Sequence, residues 1–502
     1  MNRNSKLINP EMIETMKKTI SLLISMLCIL PAMRAENIGV PSECEGVMLQ
    51  AFYWDSYKNQ SGSDSKYGRT KWIDLLKDTA AINANFDLVW FPPSAQSTGG
   101  VGYYHTCLSD QGSTTSTAWG TKAKLDELIA ALHKGNTKVI GDIVINHRGN
   151  KSSWTDFYAD NFGQFGTFQL TQSHICAGDE AFTSSSSPAK GSSNHGAADT
   201  GTNDSGCRDL DHTSEYVQSW AKAYVQWMRS VMKYDGFRYD MTLGYAGRYL
   251  SMYNEAGQPY LSVSEYWEGI DKQVKHLEET NYNTMIFDFP LKYVLWSSIK
   301  VPNYRLLINP SNSLRNRGFA RYAVTFIDNH DTFERDSYGT NQFGGQFCDL
   351  SNAKTKSQIL QAHAYILMLP GVPCVFYPHW KRYSEEVNAL IALRKRAGIH
   401  SESVVEESAA NNVYEAKVTG HRGTIILRLG ANRSKEVPEG FELAIESGDA
   451  SEYTIFFAEG GQGIEQPTPD PSLKEREKFV ENGQLYIRRG EQVFNVTGAR
   501  VK

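Results

Sequence analysis

Cysteine is scarce, seven residues in a chain of 502, and none falls in a C-x-x-C pair, which argues against a zinc ribbon, a thioredoxin-type redox motif or a small disulfide scaffold. No apolar run reaches the roughly 20 residues that a membrane-crossing helix needs. An excess of charge of either sign is missing too: 51 basic against 56 acidic residues leaves 51 − 56 = −5, too little to capture nucleic acid or an anionic membrane surface by field alone. No internal repeat is visible. What the chain has in quantity is aromatic surface, 10 Trp, 26 Tyr and 22 Phe, whose flat ring faces serve core packing and stacking against sugar rings. Its length is about twice that of a minimal (β/α)8 barrel, so a large core with additions is expected.

The amino terminus carries a targeting pattern. Lys17 and Lys18 precede an apolar run from Ile20 to Leu30, and Ala35 and Glu36 follow; a basic start, about a dozen apolar residues and a small-residue exit predict a secretory signal peptide. The mature chain then starts near Glu36 and the protein is exported. Met16 directly precedes the basic pair, so residues 1–15 read as an upstream start assignment. Six cysteines remain after cleavage: Cys44, Cys107, Cys176, Cys207, Cys348 and Cys374. Connectivity is not readable from spacing, and the one pairing expected is Cys176 with Cys207, which bracket a polar stretch with few apolar residues of its own.

Eight short apolar or β-branched runs alternate with helical patterns: Val47–Tyr53, Phe86–Phe91, Lys138–Ile145, Gly236–Met241, Leu261–Glu265, Thr284–Phe289, Ala323–Ile327 and Val372–Tyr377. Between them, Val217, Trp220, Ala221, Tyr224, Val225 and Met228 share one helix face, as do Leu125, Leu128, Ile129 and Leu132. Eightfold strand–helix alternation predicts an α/β fold, a (β/α)8 TIM barrel, although an open doubly wound sheet fits the same alternation. The expected organisation is an extension and signal peptide over 1–35, a barrel over 36–147 and 209–398, an irregular excursion domain over 148–208 after strand three, and a C-terminal antiparallel β domain over 399–459. A Gly- and Pro-rich linker over 460–471 and a tail over 472–502 complete it.

Catalytic groups of a parallel barrel sit where strands end, because the loops there converge. Those ends supply Asp142, Asn146 and His147 after strand three, Arg238 and Asp240 at strand four, Glu265 after strand five, and His330 with Asp331 after strand seven. Three carboxylates from three strands suit glycosidic cleavage, in which one acid protonates the leaving oxygen and one carboxylate traps the oxocarbenium-like centre. Arg238, two residues before Asp240, is placed to hold it ionised, whereas Glu265 must stay protonated through desolvation or like charge. A lone carboxylate at a strand end is more often a cap or a surface ion pair; the fixed local contexts shift that balance.

Those contexts resemble the four short regions of the α-amylase family of glycoside hydrolases: Asp-Ile-Val-Ile-Asn-His at 142–147, Gly-Phe-Arg-Tyr-Asp at 236–240, Ser264-Glu265-Tyr266-Trp267, and Phe-Ile-Asp-Asn-His-Asp at 326–331. The resemblance runs from about residue 46 to 455, includes Gly371–Tyr377 and the stretch Gly398 to Ser403, and is strongest to the plant-type subgroup. It implies Asp240 as nucleophile, Glu265 as general acid and base, and Asp331 as the third carboxylate. It further implies Arg238, His147 and His330 as residues around the cleaved glucose, and Tyr103 as a stacking ring. The family pins its excursion to the barrel with Ca2+, and the similar positions here are Asn146, Asp199, the Thr202 carbonyl, Asp209 and the Gly244 carbonyl; an oxygen-only set of this kind suits that ion.

The implied protein is a monomeric exported endo-acting α-amylase that cleaves internal α-1,4 bonds of starch, glycogen or maltodextrins with retention. A sibling hydrolase or transglycosylase, or a non-catalytic glycan-binding relative, is the alternative. Leu243 stands where many relatives have Lys, Ser264 where Ala or Gly is common, and 332–350 is longer than the plant-type pattern, which places cleavage pattern rather than reaction type in doubt. The tail after residue 472 resembles a carboxyl-terminal element seen on exported bacterial proteins, implying surface attachment.

Overall fold

The computed structural model describes residues 38–58, 67–333, 350, 353–448 and 452–460, and the backbone of 476–481, 484–489 and 492–495. The expected signal peptide, most of the 332–350 segment, Cys348 and the linker from residue 461 lie outside the described residues.

Eight strands close into a barrel: β1 (Met48–Gln50), β2 (Leu88–Trp90), β3 (Lys138–Ile143), β4 (Gly236–Tyr239), β5 (Ser262–Ser264), β6 (Met285–Phe287), β7 (Ala323–Phe326) and β8 (Val372–Phe376). Each pairs in parallel with its sequence neighbours, and Met48 opposite Cys374 closes the ring between β1 and β8. The closure decides against the open sheet. Every expected strand is present, trimmed at its ends, because residues such as Asp240 and Glu265 leave the ladder to enter the mouth. Barrel strands are buried on both faces and therefore read as continuous apolar runs; the interior is filled by Trp90, Phe287 and Phe326, with Trp90 and Phe287 centroids 5.4 Å apart.

A helix follows each strand, among them Lys122–Lys134, Glu215–Ser230 and Phe289–Lys300. The Thr121 side chain accepts the Lys124 N–H at the start of the first, and Asp288 accepts the Leu291 N–H at the start of the last, where Pro290 sits in the first turn. The face Val217, Trp220, Ala221, Tyr224, Val225, Met228 is buried, as its spacing predicts.

After β3 the chain leaves the barrel through His147–Arg148 and returns through Arg208–Asp209, and these two pieces pair antiparallel with His147 opposite Asp209. The excursion between them is poor in regular structure. Buried ion pairs supplement its small apolar core: Arg148 with Asp160 at 2.8 Å, both fully buried, and Arg208 with Asp179 at 2.6 Å. The expected Cys176–Cys207 bridge is not formed. Both thiols are free, because Cys176 N–H pairs with the Asp209 carbonyl and Ile175 bridges Leu210, a register that sets Cys176 opposite Asp209 instead of Cys207.

Residues after the last barrel helix form a five-stranded antiparallel sheet of β9 (Val404–Ala409), β10 (Tyr414–Thr419), β11 (Gly423–Leu429), β12 (Glu442–Glu446) and β13 (Tyr453–Glu459), in the order β9-β10-β11-β13-β12. Alternate β10 residues Tyr414, Ala416 and Val418 face inward, and Arg315 binds Glu407 of β9 at 3.0 Å, tying the sheet to the barrel. Further on, β14 (Arg476–Glu481), β15 (Gln484–Arg489) and β16 (Gln492–Asn495) make a separate antiparallel meander.

Candidate active site

The register of β3 against β4 places Arg238 directly beside Asp142, and both point into the mouth of the barrel. One guanidinium there serves three carboxylates: Nη1 lies 2.8 Å from Asp142 Oδ1 and 2.6 Å from Asp240 Oδ1, and Nη2 lies 2.6 Å from Glu265 Oε1. Arg238 is 1% exposed, so these are charge-assisted bonds in a desolvated setting. A second chain of bonds orients the opposite wall. Gln50 Nε2 donates to His330 Nδ1 at 2.9 Å, which leaves His330 Nε2–H to face Tyr103 Oη at 2.8 Å and Asp331 Oδ2 at 3.2 Å; the Tyr103 hydroxyl then donates to Asp142 Oδ2 at 2.9 Å. Trp90 Nε1 completes the Asp142 shell at 3.1 Å.

A cavity of about 340 Å³ opens above these groups, with Tyr103, His147, Asp240, Glu265, His330 and Asp331 in its wall. The expected catalytic and subsite residues thus converge on one space, with Arg238 beneath it. His147 donates Nε2–H to the Tyr103 carbonyl at 3.1 Å. The rings of Trp54, Tyr103 and His330 lie nearly parallel, Tyr103 and His330 at 13° and 5.4 Å between centroids, giving flat walls of the kind sugar rings stack on.

Burial and crowding shift the acids. Desolvation pushes Asp240 up to about 7, opposed by Arg238 and reinforced by the charge of Asp142. Desolvation drives Glu265 well above the ordinary carboxyl range, with Arg238 opposing and Asp240 and Asp331 adding like charge. Asp142, buried but held by Arg238, rises to about 6. Glu265 is therefore the group that keeps its proton longest, as its expected role requires. Met241, held at φ 46°, aims its N–H at Glu265 Oε2 from 3.0 Å.

Some participants were not picked out by sequence reasoning as site residues. The sequence names Asp142 and Trp267 within the motif regions without a role at the site, and gives none to Gln50, Trp54, Tyr104 or Asp204. The signal for Asp142 was available: it is the register partner of Arg238, two positions before Asp240 on the neighbouring strand. Asp204 and Trp54 reach the cavity only through loop paths that no periodicity reveals.

The proposed calcium ligands also gather. Asn146 Nδ2 lies 3.4 Å from Asp209 Oδ1, and the Thr202 N–H donates to the Leu243 carbonyl at 2.8 Å, bringing the 199–202 loop against the Leu243–Gly244 turn. A Cβ built on Gly244 would stand 1.9 Å from Asn146 Oδ1, so the amide oxygen occupies a cradle that only glycine leaves open. Asp209, pushed up to about 8 by burial and by the charges of Asp199, Asp179 and Asp204, sits among carboxylates. A set of carboxylate, amide and carbonyl oxygens fits a hard divalent cation.

A parallel barrel whose mouth gathers three strand-end carboxylates around a buried arginine has the form of a carboxylate-based glycoside hydrolase. Residues 84–386 match the family described as alpha amylase, catalytic domain, and the chain belongs to the α-amylase family. It is 27% identical over 429 residues to alpha-amylase 3, chloroplastic, of Arabidopsis thaliana, covering 80% of this chain and 43% of that protein, and 27% identical over 405 residues to probable alpha-amylase 2 of the same plant, covering 76% and 88%. The fold is like that of the solved α-amylase from Geobacillus thermoleovorans complexed with acarbose, with a TM-score of 0.57, 15% identity, and coverage of 84% of this chain and 100% of that one.

Proposed function

We propose that the protein is an exported, endo-acting α-amylase hydrolysing internal α-1,4-glucosidic bonds of starch, glycogen or maltodextrins with retention. The observation that carries this is the sharing of Arg238 by Asp240 and Glu265. Two carboxyls on one guanidinium favour the separation of about 5–5.5 Å that goes with a covalent intermediate over the wider spacing that leaves room for a water.

In this reading Asp240, ionised and held by Nη1 of Arg238, attacks the anomeric carbon while Glu265 gives its proton to the leaving oxygen. Glu265 then takes a proton from water, which releases the sugar from Asp240 with the original anomeric configuration. Asp331 and His330 are placed to hold sugar hydroxyls, and Tyr103 offers its ring face. Asn146, Asp199, Thr202, Asp209 and Gly244 would hold Ca2+, which ties the excursion to the barrel and supplies stability; the chemistry rests on the chain's own carboxylates. Export is supported by the basic and apolar pattern of residues 17–36. Incubation with amylose, glycogen and short maltodextrins, read for product lengths and anomeric form, tests substrate and mechanism together: internal cleavage with α-products is expected, and β-products or intact substrate would overturn the assignment.

A further inference from the structure

Glu43, His400 and His421 come from three distant parts of the chain, yet their ligating atoms lie within 4.8 Å of one another. Glu43 lies in the segment leading into β1, His400 follows the last barrel helix, and His421 sits in the turn between β10 and β11. The cluster therefore lies at the end of the barrel where β1 begins, opposite the mouth.

The hydrogen bonds fix what faces the space between them. His421 Nδ1 lies 2.9 Å from Glu45 Oε1, a carboxylate held in turn by Arg422. His421 Nε2 lies 3.5 Å from Glu43 Oε2, so the ring stands between two carboxylates and positive charge is called for at Nε2, as a proton or as a bound metal ion. His400 is 1% exposed, its ring stacks on that of His421 at 4.2 Å, its Nδ1 is met by the Glu402 N–H at 3.2 Å, and its buried Nε2 has no hydrogen-bond partner among the described residues. Glu43 is pre-set. Its backbone, at φ 45°, is anchored by a bond from its N–H to Glu402 Oε2 at 3.0 Å, an uncommon conformation for a residue with a side chain.

We propose that Glu43, His400 and His421 form a structural site for a borderline divalent metal of the Zn2+ class, joining the start of the barrel, its last helix and the C-terminal sheet. Two imidazole nitrogens and a carboxylate oxygen match zinc's preference for mixed nitrogen and oxygen ligands, with one position left for water. The Glu45–His421 pair is the carboxylate–histidine arrangement that orients metal-bound imidazoles. Binding at His400 Nε2 moves its proton to Nδ1, gives up the long bond from Glu402 and turns the His400 and His421 rings out of their parallel stack, because in-plane lone pairs of stacked rings do not converge on one ion.

The test uses the full-length protein kept in Ca2+, so that the oxygen-rich site stays filled. Titration with Zn2+ should show one added equivalent bound and a melting temperature raised by several degrees at about 100 times the Kd, and Co2+ in its place should develop the strong visible absorption of four-coordinate cobalt. His421→Gln and Glu43→Gln, both at solvent-accessible positions, should weaken Zn2+ about 100-fold or more, Glu45→Gln about 10–100-fold, and all three should hydrolyse maltodextrin like the wild type. No added equivalent in the wild type, or undiminished binding in His421→Gln, would overturn the proposal. So would an NMR titration showing His421 as an imidazolium insensitive to Zn2+, since a proton would then fill the gap.

Discussion

Arg238 carries one positive charge against three carboxylates, so the site is built with excess negative charge and relieves it by holding protons. Asp240→Asn removes the attacking oxygen anion and should lower maltodextrin hydrolysis by about 10⁴-fold or more, while binding of a maltodextrin, followed by calorimetry, persists. The same substitution should stabilise the fold. Burial pushes the folded-state carboxyl up to about 7 from about 3.9 when unfolded, so the native protein holds the extra proton and the contribution of Asp240 to stability falls as pH rises through that window. The variant should therefore melt a few degrees higher than the wild type at pH 8, the gap closing toward pH 4; a lower melting point at pH 8 would contradict the burial argument. Asp142→Asn tests the charge network without touching the nucleophile. It removes a like charge beside Asp240 and frees Arg238 for it, so the acid limb of kcat/KM, which reports ionisation in the free enzyme, should move to lower pH while activity persists at a reduced level.

Among the elements, the excursion between β3 and the helix Glu215–Ser230 depends most on something other than burial. Its stretch 184–206 is largely exposed Ser, Gly, Asn and Asp, and Cys176 and Cys207 are unpaired, so in the proposed function a bound cation adds to the buried ion pairs of Arg148 and Arg208 as a staple. Removing Ca2+ with a chelator should lower the melting temperature by several degrees and raise the proteolytic sensitivity of this segment, both reversed by adding Ca2+. Gly244→Ala should abolish the Ca2+-dependent part of the shift, because the added methyl collides with the Asn146 amide oxygen; full protection by Ca2+ in the variant would remove Asn146 and Gly244 from the site. Legibility divides along the same line. Barrel strands and helices were readable because periodicity and burial coincide over several residues, and Asp240 and Glu265 because they sit at fixed offsets from those runs. The cavity contributions of Trp54, Asp204 and Trp267 were not, since loop trajectories have no period, and the disulfide expectation failed because spacing along the chain says nothing of the register that set Cys176 opposite Asp209.

For the molecule as a whole, the question is whether its parts divide the work of catalysis and placement. Every group bonded to Asp142, Asp240 or Glu265 described above lies between Gln50 and Asp331, and the five-stranded sheet is tied to the barrel through Arg315 and Glu407. The meander β14–β16 pairs within itself, and its strands Arg476–Glu481 and Gln484–Arg489 mix charged with apolar residues. A module with its own backbone pairing, following a Pro- and Gly-rich connection, can be removed without disturbing the carboxylates. Truncation at residue 471 should leave maltodextrin hydrolysis within about twofold of the full chain, a change of less than about 0.5 kcal/mol in transition-state stabilisation. If the tail directs surface attachment, the same truncation should shift the enzyme from the cell-surface fraction to the medium or periplasm, as followed by activity in each. Unchanged distribution would leave the tail without a sorting role, and a large loss of activity would show that it supports the catalytic unit instead.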